Sequence, residues 1–245
     1  MRMFIRKMLQ KVGYDIVKYH QTYFAGHFDE ENLQGEYPWL KEFGFKTILD
    51  IGANEGQFAD KMHALFPKTK IYSFEPIPEA FAQLEKNFKN VPEIEGVNLA
   101  LGDSTGEITF NVNESSASSS FLHLAETHTK SFDFAVKTNP IQVKVDTLDN
   151  VMNQKQIQLP MLIKIDVQGF EDKVIKGGIN TLKKADMIIC EVSFTELYKD
   201  QLLFDDTYKV FKDLGFSYAG STEQLRSPDN NRILQADAIF IKSNH

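Results

Sequence analysis

The sequence has almost no cysteine and no long hydrophobic run. Cys190 is the only cysteine in 245 residues, which excludes an intramolecular disulfide and a cysteine-rich zinc site and is typical of a reducing compartment. No apolar run reaches the roughly 18 residues that a membrane-spanning helix needs. Lys7 and Lys11 interrupt the N-terminal segment, where a signal peptide would need a continuous apolar stretch. These absences predict a cytoplasmic protein without a transmembrane segment.

The chain also has fewer positively charged than negatively charged residues. The chain has 27 Lys and Arg residues against 34 Asp and Glu residues, which gives a net charge of −7. Because binding to a polyanion requires a cationic surface, this balance disfavours nucleic acid as a partner. The rest of the composition, 42% hydrophobic and 25% charged, is that of an ordinary globular protein and excludes extensive disorder.

The N-terminal segment has the opposite charge balance. Residues 1–20 contain Arg2, Arg6, Lys7, Lys11 and Lys18 against Asp15 alone. Apolar residues, beginning with Phe4 and Met8, recur in it at helical spacing. We therefore predict an N-terminal helical extension over residues 1–45. Its basic face is either solvated, with the helix packed on the main domain, or makes a peripheral contact with an anionic membrane or a partner through residues 1–20.

Residues 46–245 are predicted to form one α/β domain, because short apolar runs alternate there with amphipathic stripes. The predicted strands are Thr47–Ile51, Ile71–Phe74, Gly96–Leu101, Met161–Ile165, Met187–Val192, Phe216–Gly220 and Ala236–Ile241. The stripes between them, such as Phe58, Met62 and Leu65, indicate helices that cover a sheet.

An insertion over residues of about 104–160 interrupts this alternation. Ile108–Val112 and Gln142–Val145 alternate like the two strands of a hairpin, and a serine-rich stretch lies between them. Because residues 114–130 contain few large apolar side chains, we predict a protease-sensitive loop there. His123 and His128 lie in this region, but a spacing of five puts them on different faces of a helix and disfavours a two-histidine metal site.

The strongest local signal is the segment Ile48–Gly56, which reads as a strand, a glycine turn and the start of a helix. Gly52 and Gly56 would let the backbone approach a ligand closely, and such turns hold nucleotide-type ligands at the carboxyl ends of parallel strands. The G-x-x-x-G spacing departs from the G-x-G-x-x-G of dinucleotide-binding proteins. Asp50, just before the turn, suits a cationic ligand better than a pyrophosphate.

Glu75 follows the second predicted strand, 23 residues after Gly52. Nucleoside-binding sheets hold the two ribose hydroxyls with a carboxylate at this point, through charge-assisted hydrogen bonds. Pro76 and Pro78 end the strand and start the next helix, which defines where Glu75 points. The alternative is a solvated glutamate at a strand end.

The chain resembles the FkbM family of S-adenosylmethionine (SAM) dependent methyltransferases from about Lys46 to Lys242. The matching motifs appear in order as Asp50–Gly56, Phe74–Pro76, Asn98–Asp103, Val145–Asp149, Ile163–Glu171, Ile188–Glu191 and Ala236–Phe240. The resemblance implies a class I, Rossmann-like fold whose seven-stranded, mostly parallel sheet has helices on both faces and an antiparallel last strand. It also implies SAM as cofactor and a hydroxyl oxygen as acceptor, often on a sugar or another natural product.

The resemblance further implies roles for individual positions. The methionine part of SAM would lie on the turn formed by Asp50, Gly52, Ala53, Asn54 and Gly56, and the ribose on Glu75 and Pro76. Adenine would be flanked by Ala100, Leu101, Gly102 and Asp103, with Asp103 accepting from its exocyclic amine. Asp166 would face the methyl group and the acceptor. Many relatives have a glutamate where this chain has Gln168, so the resemblance leaves the charge at that position open.

Asp166 is the candidate catalytic residue. A hydroxyl acceptor must lose its proton as it attacks, and Asp166 is the best-placed base for that step. The alternative is a structural carboxylate, or one that binds the amino group of SAM. A magnesium ion that bridges Asp166 and a substrate diol would serve the same chemistry, but no ligand cluster in the sequence demands a metal. Lys164, on a buried strand, needs a partner, for which Glu191 is the candidate. Cys190, flanked by apolar residues, is predicted to be a core residue.

The acceptor class is narrowed by one missing motif. Amino-methyltransferases carry Asn or Asp followed by Pro-Pro and an aromatic residue after the fourth strand, whereas this chain has Asp166-Val167-Gln168-Gly169. We therefore predict an O-methyltransferase that acts on a small polyhydroxylated, sugar or natural-product acceptor. The alternatives are an NAD-dependent oxidoreductase and a non-catalytic SAM-binding module.

Overall fold

The computed structural model describes residues 38–113, 138–198 and 200–243. In chain order the strands are β1 (Thr47–Ile51), β2 (Lys70–Phe74), β3 (Ile94–Val97), β4 (Ala100–Gly102), β5 (Gly106–Asn113), β6 (Thr138–Thr147), β7 (Met161–Ile165), β8 (Met187–Ser193), β9 (Phe216–Arg226) and β10 (Ile233–Lys242). The α-helices are α1 (Gln57–Leu65), α2 (Pro78–Asn87), α3 (Leu148–Met152), α4 (Glu171–Gly177), α5 (Ile179–Leu182) and α6 (Phe204–Asp213), and a 3-10 helix over Pro38–Phe43 precedes them.

The main sheet has seven strands in the order β3-β2-β1-β7-β8-β10-β9. Only β10 runs antiparallel to its neighbours β8 and β9, and the other pairs are parallel. This topology confirms the predicted seven-stranded, mostly parallel sheet with an antiparallel last strand. It also brings the carboxyl ends of β1, β2, β7, β8 and β9 to one edge, where open parallel sheets bind their ligands.

Apolar helix faces cover both sides of this sheet. On one side, α1 and α2 contribute Met62 and Leu84 to a buried cluster, while on the other side α4 and α6 contribute Val174 and Phe211. Consecutive residues of the strands alternate between the two clusters, as expected for a strand that is buried on both faces. Cys190 belongs to the second cluster and is fully buried, which confirms its prediction as a core residue.

The third predicted strand, Gly96–Leu101, is wrong as a single element. The chain leaves the main sheet after Val97, and Ala100–Gly102 pairs instead with β6 in a separate three-stranded sheet. The turn between the two strands is held by Asn98, whose side-chain amide donates to the main-chain carbonyls of Glu75 (2.8 Å) and Pro76 (3.2 Å). The apolar residues on both sides of Asn98 conceal this turn in the sequence.

The predicted hairpin of the insertion is present. Strands β5 and β6 pair antiparallel, with Ile108 opposite Val143, and β4 joins the other side of β6. Both strands are longer than predicted. The hairpin packs Val143 and Val145 against Ile77 and Ala80 at the start of α2, so this small sheet is anchored next to the loop that follows β2.

The sixth and seventh strands are also longer than predicted. The sequence indicated Phe216–Gly220, whereas β9 continues to Arg226, and β10 begins at Ile233 rather than at Ala236. Most of β9 beyond Phe216 is exposed because it is the edge strand of the sheet. Without a buried face, residues 221–226 lack the apolar alternation by which a strand is recognised in the sequence.

Several predictions fall outside the described residues. The basic segment 1–20, His123, His128 and the serine-rich loop over 114–130 are among them. From the predicted extension, only residues 38–45 are described, and here Leu40 and Phe45 are buried in the cluster beneath α1. Within the described ranges, no helix is long and apolar enough to cross a membrane.

The motif Val145–Asp149 has a structural explanation. The Asp149 carboxylate accepts hydrogen bonds from the backbone N–H groups of Asn180 (3.1 Å) and Thr181 (2.7 Å) at the start of α5, and from the Thr181 hydroxyl (2.7 Å). Asp146 accepts from the Thr105 hydroxyl at 2.7 Å. The Asp149 bonds join the insertion to α5, and the Asp146 bond holds the loop between β4 and β5 to the end of β6, so this part of the family pattern stabilises the fold.

Candidate active site

A cavity of about 500 Å³ opens at the carboxyl edge of the main sheet. Many of the predicted site residues line it, namely Asp50, Gly52, Ala53, Asn54, Glu75, Pro76, Ala100, Leu101 and Asp166. The loops that follow β1, β2, β3 and β7 meet at this cavity, because the four strands run parallel and end at the same edge of the sheet. Gly56, Gly102 and Asp103 are not among the lining residues.

Position 52 must be a glycine because the backbone that follows β7 lies directly beside it. Its φ is +85°, and a Cβ there would lie 1.8 Å from the carbonyl oxygen of Asp166. The sequence interpretation, that this glycine admits a ligand, is therefore incomplete, since its absent side chain first lets β1 and β7 end side by side. Gly56 similarly makes room for the Phe88 ring, 2.3 Å from where its Cβ would be.

Glu75 is buried and joins two loops of the cavity wall. Its Oε2 accepts from the backbone N–H of Asn54 and its Oε1 from that of Ile77, both at 2.8 Å. Burial raises the pKa of Glu75 to about 7, although the two N–H donors act in the opposite direction. An ionised carboxylate has about four acceptor positions, so two remain for a ligand.

Asp50 is on β1, one residue before the end of the strand, and lines the cavity. It is beside Ser73 on β2 and beside Lys164 on β7. Neither carboxylate oxygen has a partner within hydrogen-bonding geometry, although the residue is only 1% exposed, and the nearby Ala59 N–H and Ser73 hydroxyl offset only part of the effect of burial on its pKa. Burial raises the pKa of Asp50 to about 6 despite the nearby Lys164 cation. A buried, unpartnered carboxylate that faces a cavity is suited to a cationic ligand.

Asp166 is held by two donors. Lys164 Nζ lies 2.6 Å from its Oδ2, and Gln168 Nε2 lies 2.9 Å from its Oδ1. Burial acts to raise the pKa of Asp166, but the Lys164 charge and these hydrogen bonds outweigh it and hold the pKa below its usual value. The prediction that Glu191 pairs with Lys164 is wrong, because Asp166, two residues along the chain, is the ion-pair partner.

Gln168 connects the carboxylate of Asp166, which follows β7, with that of Glu191 on β8. Its amide nitrogen donates to Asp166 and to both oxygens of Glu191 (3.2 and 3.1 Å), and its amide oxygen accepts from the Tyr198 hydroxyl at 2.8 Å. Gln235 donates to Glu191 as well, at 3.0 Å. Burial and neighbouring carboxylates raise the pKa of Glu191 well above its usual value. The neutral amide therefore separates two groups that would otherwise repel each other.

The predicted adenine region is only partly in the cavity. Ala100 and Leu101 line it together with Leu99. Gly102 instead packs against α4, where a Cβ on Gly177 would lie 1.9 Å from the Gly102 carbonyl oxygen. Asp103 is exposed and lies 3.4 Å from Lys173 Nζ. Its interaction with adenine remains a prediction.

Sequence reasoning missed Lys61 and Glu223, which line the cavity and form an ion pair of 3.2 Å. Lys61 is on α1, where the sequence analysis considered only the apolar stripe. Glu223 lies beyond the predicted end of the sixth strand. For Glu223 the signal that could have located it is topological, since residues at the carboxyl end of a parallel strand reach this edge, whereas the position of Lys61 in α1 carries no such signal. In the part of the chain that the structure describes, no group of three or more His, Cys, Asp or Glu side chains is arranged to hold a metal ion.

The buried carboxyl groups predict an unusual dependence of stability on pH. Burial raises the pKa of Asp50 to about 6 and that of Glu75, Glu171 and Asp237 to about 7, whereas these groups titrate near 4 in an unfolded chain. The folded protein therefore binds more protons than the unfolded chain between about pH 4.5 and 7, so the free energy of unfolding should fall as pH rises through this range. The lowered pKa of Asp166 affects the free energy of unfolding only at pH values below this range.

Urea denaturation of the ligand-free protein at pH 5, 6, 7 and 8 measures this trend. Glu75→Gln should reduce the slope between pH 5 and 7, because it removes one of the groups that titrate. Unfolding free energies that increase from pH 5 to 7 would contradict the assignment.

The comparison with known proteins agrees with this geometry. The family model described as "Methyltransferase FkbM domain" matches residues 50–218. The 2-O-methyltransferase NoeI of Sinorhizobium fredii is 32% identical over 162 residues, which cover 64% of this chain and 67% of that protein. The hexuronic acid methyltransferase AglP of Haloferax volcanii is 26% identical over 180 residues, 69% of this chain and 68% of that protein.

A solved structure shows the same fold. The methyltransferase FkbM from Methylobacillus flagellatus KT superposes with a TM-score of 0.51 at 14% sequence identity, over 81% of this chain and 44% of that chain. At this identity the similarity concerns the fold alone, and this chain spans less than half of that protein. The family match extends over more than half of this chain, from Asp50 to Tyr218, and decides against the oxidoreductase alternative. The chain belongs to the FkbM family of SAM-dependent methyltransferases.

Proposed function

We propose that this enzyme binds SAM in the cavity at the sheet edge and transfers its methyl group to a hydroxyl of a sugar-like acceptor. The observation that carries the proposal is the buried carboxylate of Asp50, whose two oxygens have no partner and which lines the same cavity as Glu75 and Asp166. A cavity walled by carboxylates favours a cationic ligand and disfavours a pyrophosphate.

The residues present fit SAM. Asp50 offers its unpartnered oxygens to the positively charged part of the ligand, and Glu75 has acceptor positions left for two ribose hydroxyls. The backbone turn over Gly52, Ala53 and Asn54 lies between them, with the Asn54 side-chain oxygen buried and unpartnered. Leu99 and Leu101 provide an apolar wall for a base. When bound, SAM supplies an electrophilic methyl group on a sulfonium, which needs alignment with its nucleophile more than activation.

Asp166 is proposed to bind the reacting hydroxyl. Lys164 keeps its carboxylate ionised, so it can accept a hydrogen bond from the acceptor O–H at neutral pH. A low pKa makes Asp166 a weak base toward a free alcohol. The proton becomes strongly acidic, however, as the acceptor oxygen gains the methyl group, and a weakly basic carboxylate is then sufficient to receive it. Lys164 and Gln168 hold the carboxylate in place for this transfer.

The relatives support the acceptor class. One is named a 2-O-methyltransferase and the other a hexuronic acid methyltransferase, so a sugar acceptor is our proposal for this chain. The sequence Asp166-Val167-Gln168-Gly169, which lacks the prolines and aromatic residue of amino-methyltransferases, supports oxygen over nitrogen as the methylated atom. A small-molecule or glycan acceptor is also consistent with the net charge of −7, which disfavours nucleic acid.

Two measurements test the proposal. In calorimetry, S-adenosylhomocysteine should bind to the protein and NADH should not. With radiolabelled SAM, label should appear on methyl glycosides of neutral hexoses or hexuronic acids, and NMR of the product should show the methyl group on a hydroxyl oxygen. Binding without transfer to any of these glycosides would leave a SAM-binding module, and a methyl ester on the hexuronic acid carboxylate would refute a hydroxyl acceptor.

A further inference from the structure

The cavity wall includes an ion pair that the proposed cofactor contacts do not use. Lys61 of α1 and Glu223 of β9 form this pair, and Lys61 Nζ lies 3.2 Å from Glu223 Oε1. The side chain of Glu223 is 56% exposed and that of Lys61 is 20% exposed, whereas Asp50 and Glu75 are buried. The ion pair is therefore more accessible from solvent than Asp50 and Glu75.

Glu223 reaches the cavity through an irregularity in the edge strand. The consecutive β10 residues Ala236 and Asp237 pair with Gln224 and Thr222, so Glu223 is an extra residue in the register of β9. Its φ is +31°, in a region that residues other than glycine rarely adopt. Bulges of this kind redirect a side chain and are frequent beside active sites. Such strain persists only where the surrounding structure imposes it.

The ion pair of Lys61 and Glu223 lies at the edge of the sheet where the proposed reaction takes place. Strand β9 runs parallel to β1 and β7, so Glu223, near its carboxyl end, lies at the same sheet edge as Asp166. Lys61 belongs to the helix that follows the Asp50–Gly56 turn. The ion pair thus joins the edge of the sheet to the first helix, across the cavity whose wall includes Lys164, Asp166 and Gln168.

The chemistry of the pair matches a sugar ring. An ammonium group offers three donors and a carboxylate offers about four acceptor positions, and neighbouring hydroxyls of a sugar can each accept from one and donate to the other. Because the pair has no net charge, it does not by itself attract an anion such as a phosphate. The match is therefore with the hydroxyl pattern of the acceptor.

We propose that Lys61 and Glu223 bind adjacent hydroxyls of the acceptor sugar and so direct a third hydroxyl toward Asp166. This inference rests on the proposed function and adds the residues that select the acceptor. The two side chains determine specificity and take no part in proton or methyl transfer.

Lys61→Met and Glu223→Gln test the inference in the full-length enzyme, with the methyl glycoside that the wild type methylates. Each variant removes a charged partner of the acceptor, so its KM for the glycoside should rise by about tenfold or more. The turnover number at saturating glycoside should change by less than about threefold, and the Kd for S-adenosylhomocysteine by less than about twofold. Lys176→Met is the matched control, because Lys176 forms an ion pair with Asp172 on α4 at 2.9 Å, and its KM should not change.

Methyl glycosides that each lack one hydroxyl separate recognition of the acceptor from a purely structural role of the ion pair. For the deoxy glycoside that lacks a bound hydroxyl, the KM of the wild type should be about tenfold higher than for the complete glycoside, whereas Lys61→Met or Glu223→Gln, which has already lost that contact, should show less than about a threefold further increase. Equal KM ratios in the wild type and in both variants, or an unchanged KM in both single variants, would overturn the inference while the wild-type activity still supports the proposed function. If the wild type methylates none of the glycosides, the proposed function fails and the inference fails with it.

Discussion

Asp166→Asn is expected to lower the turnover number by about 100-fold or more, the usual scale for loss of a general base. Asparagine keeps the size of the side chain and an oxygen for one of the two donors, Lys164 or Gln168, but it cannot receive the proton of the acceptor. The affinity for SAM should change by less than about tenfold, because Asp50 and Glu75 are unaltered.

The substitution Asp166→Asn should also affect the stability of the fold, through Lys164. Lys164 is buried, and Asp166 and the nearby Asp50 and Asp237 raise its pKa. Removing the charge of Asp166 takes away the ion-pair partner of the buried Lys164, so some loss of stability is expected. Turnover must therefore be measured well below the melting temperature of the variant.

Single-turnover rates and calorimetric Kd values for one protein preparation decide between the two roles of Asp166. Asp213→Asn, an exposed position in α6, is the matched control and should leave both constants unchanged. The reverse pattern, in which SAM affinity collapses and saturated turnover is kept, would assign Asp166 to the amino group of SAM and leave the hydroxyl without a base.

Glu75→Gln is expected to weaken SAM binding by roughly 10- to 150-fold, since a hydrogen bond to a charged group is worth about 1.5–3 kcal/mol. Glutamine has one acceptor oxygen in place of two. That oxygen cannot accept from Asn54 and Ile77 and from both ribose hydroxyls at once.

Glutamine is a better test of Glu75 than alanine. The Glu75 carboxylate also accepts hydrogen bonds from the backbone N–H groups of Asn54 and Ile77. Alanine would release both loops, and a weaker affinity would then have two causes.

Calorimetry with S-adenosylhomocysteine measures the effect of Glu75→Gln. Glu79→Gln, an exposed residue in the first turn of α2, is the control. A Kd within twofold of the wild type would remove Glu75 from the cofactor site, provided that circular dichroism shows an intact fold.

The sequence by itself determined the fold class, the positions of most strands and the identity of the residues around the turn after β1. Apolar runs bounded by glycine and proline are local patterns, and the spacing from Gly52 to Glu75 is a property of one βαβ unit. Such units bring their loops to a single edge whatever the rest of the chain does. Asp50, Glu75 and Asp166 could therefore be expected at one edge before the structure was known.

Tertiary structure alone decided which contacts these residues make. Burial, not sequence position, raises the pKa of Asp50 and Glu75, and the ion pair with Lys164 lowers that of Asp166. The end of the third strand depends on an amide of Asn98 that reaches carbonyls on another loop. Glu223 meets Lys61 only because a bulged edge strand extends to the helix after the first strand, 162 residues away in the chain. Contacts between such distant segments leave no periodic pattern in the sequence, because they depend on how the elements pack.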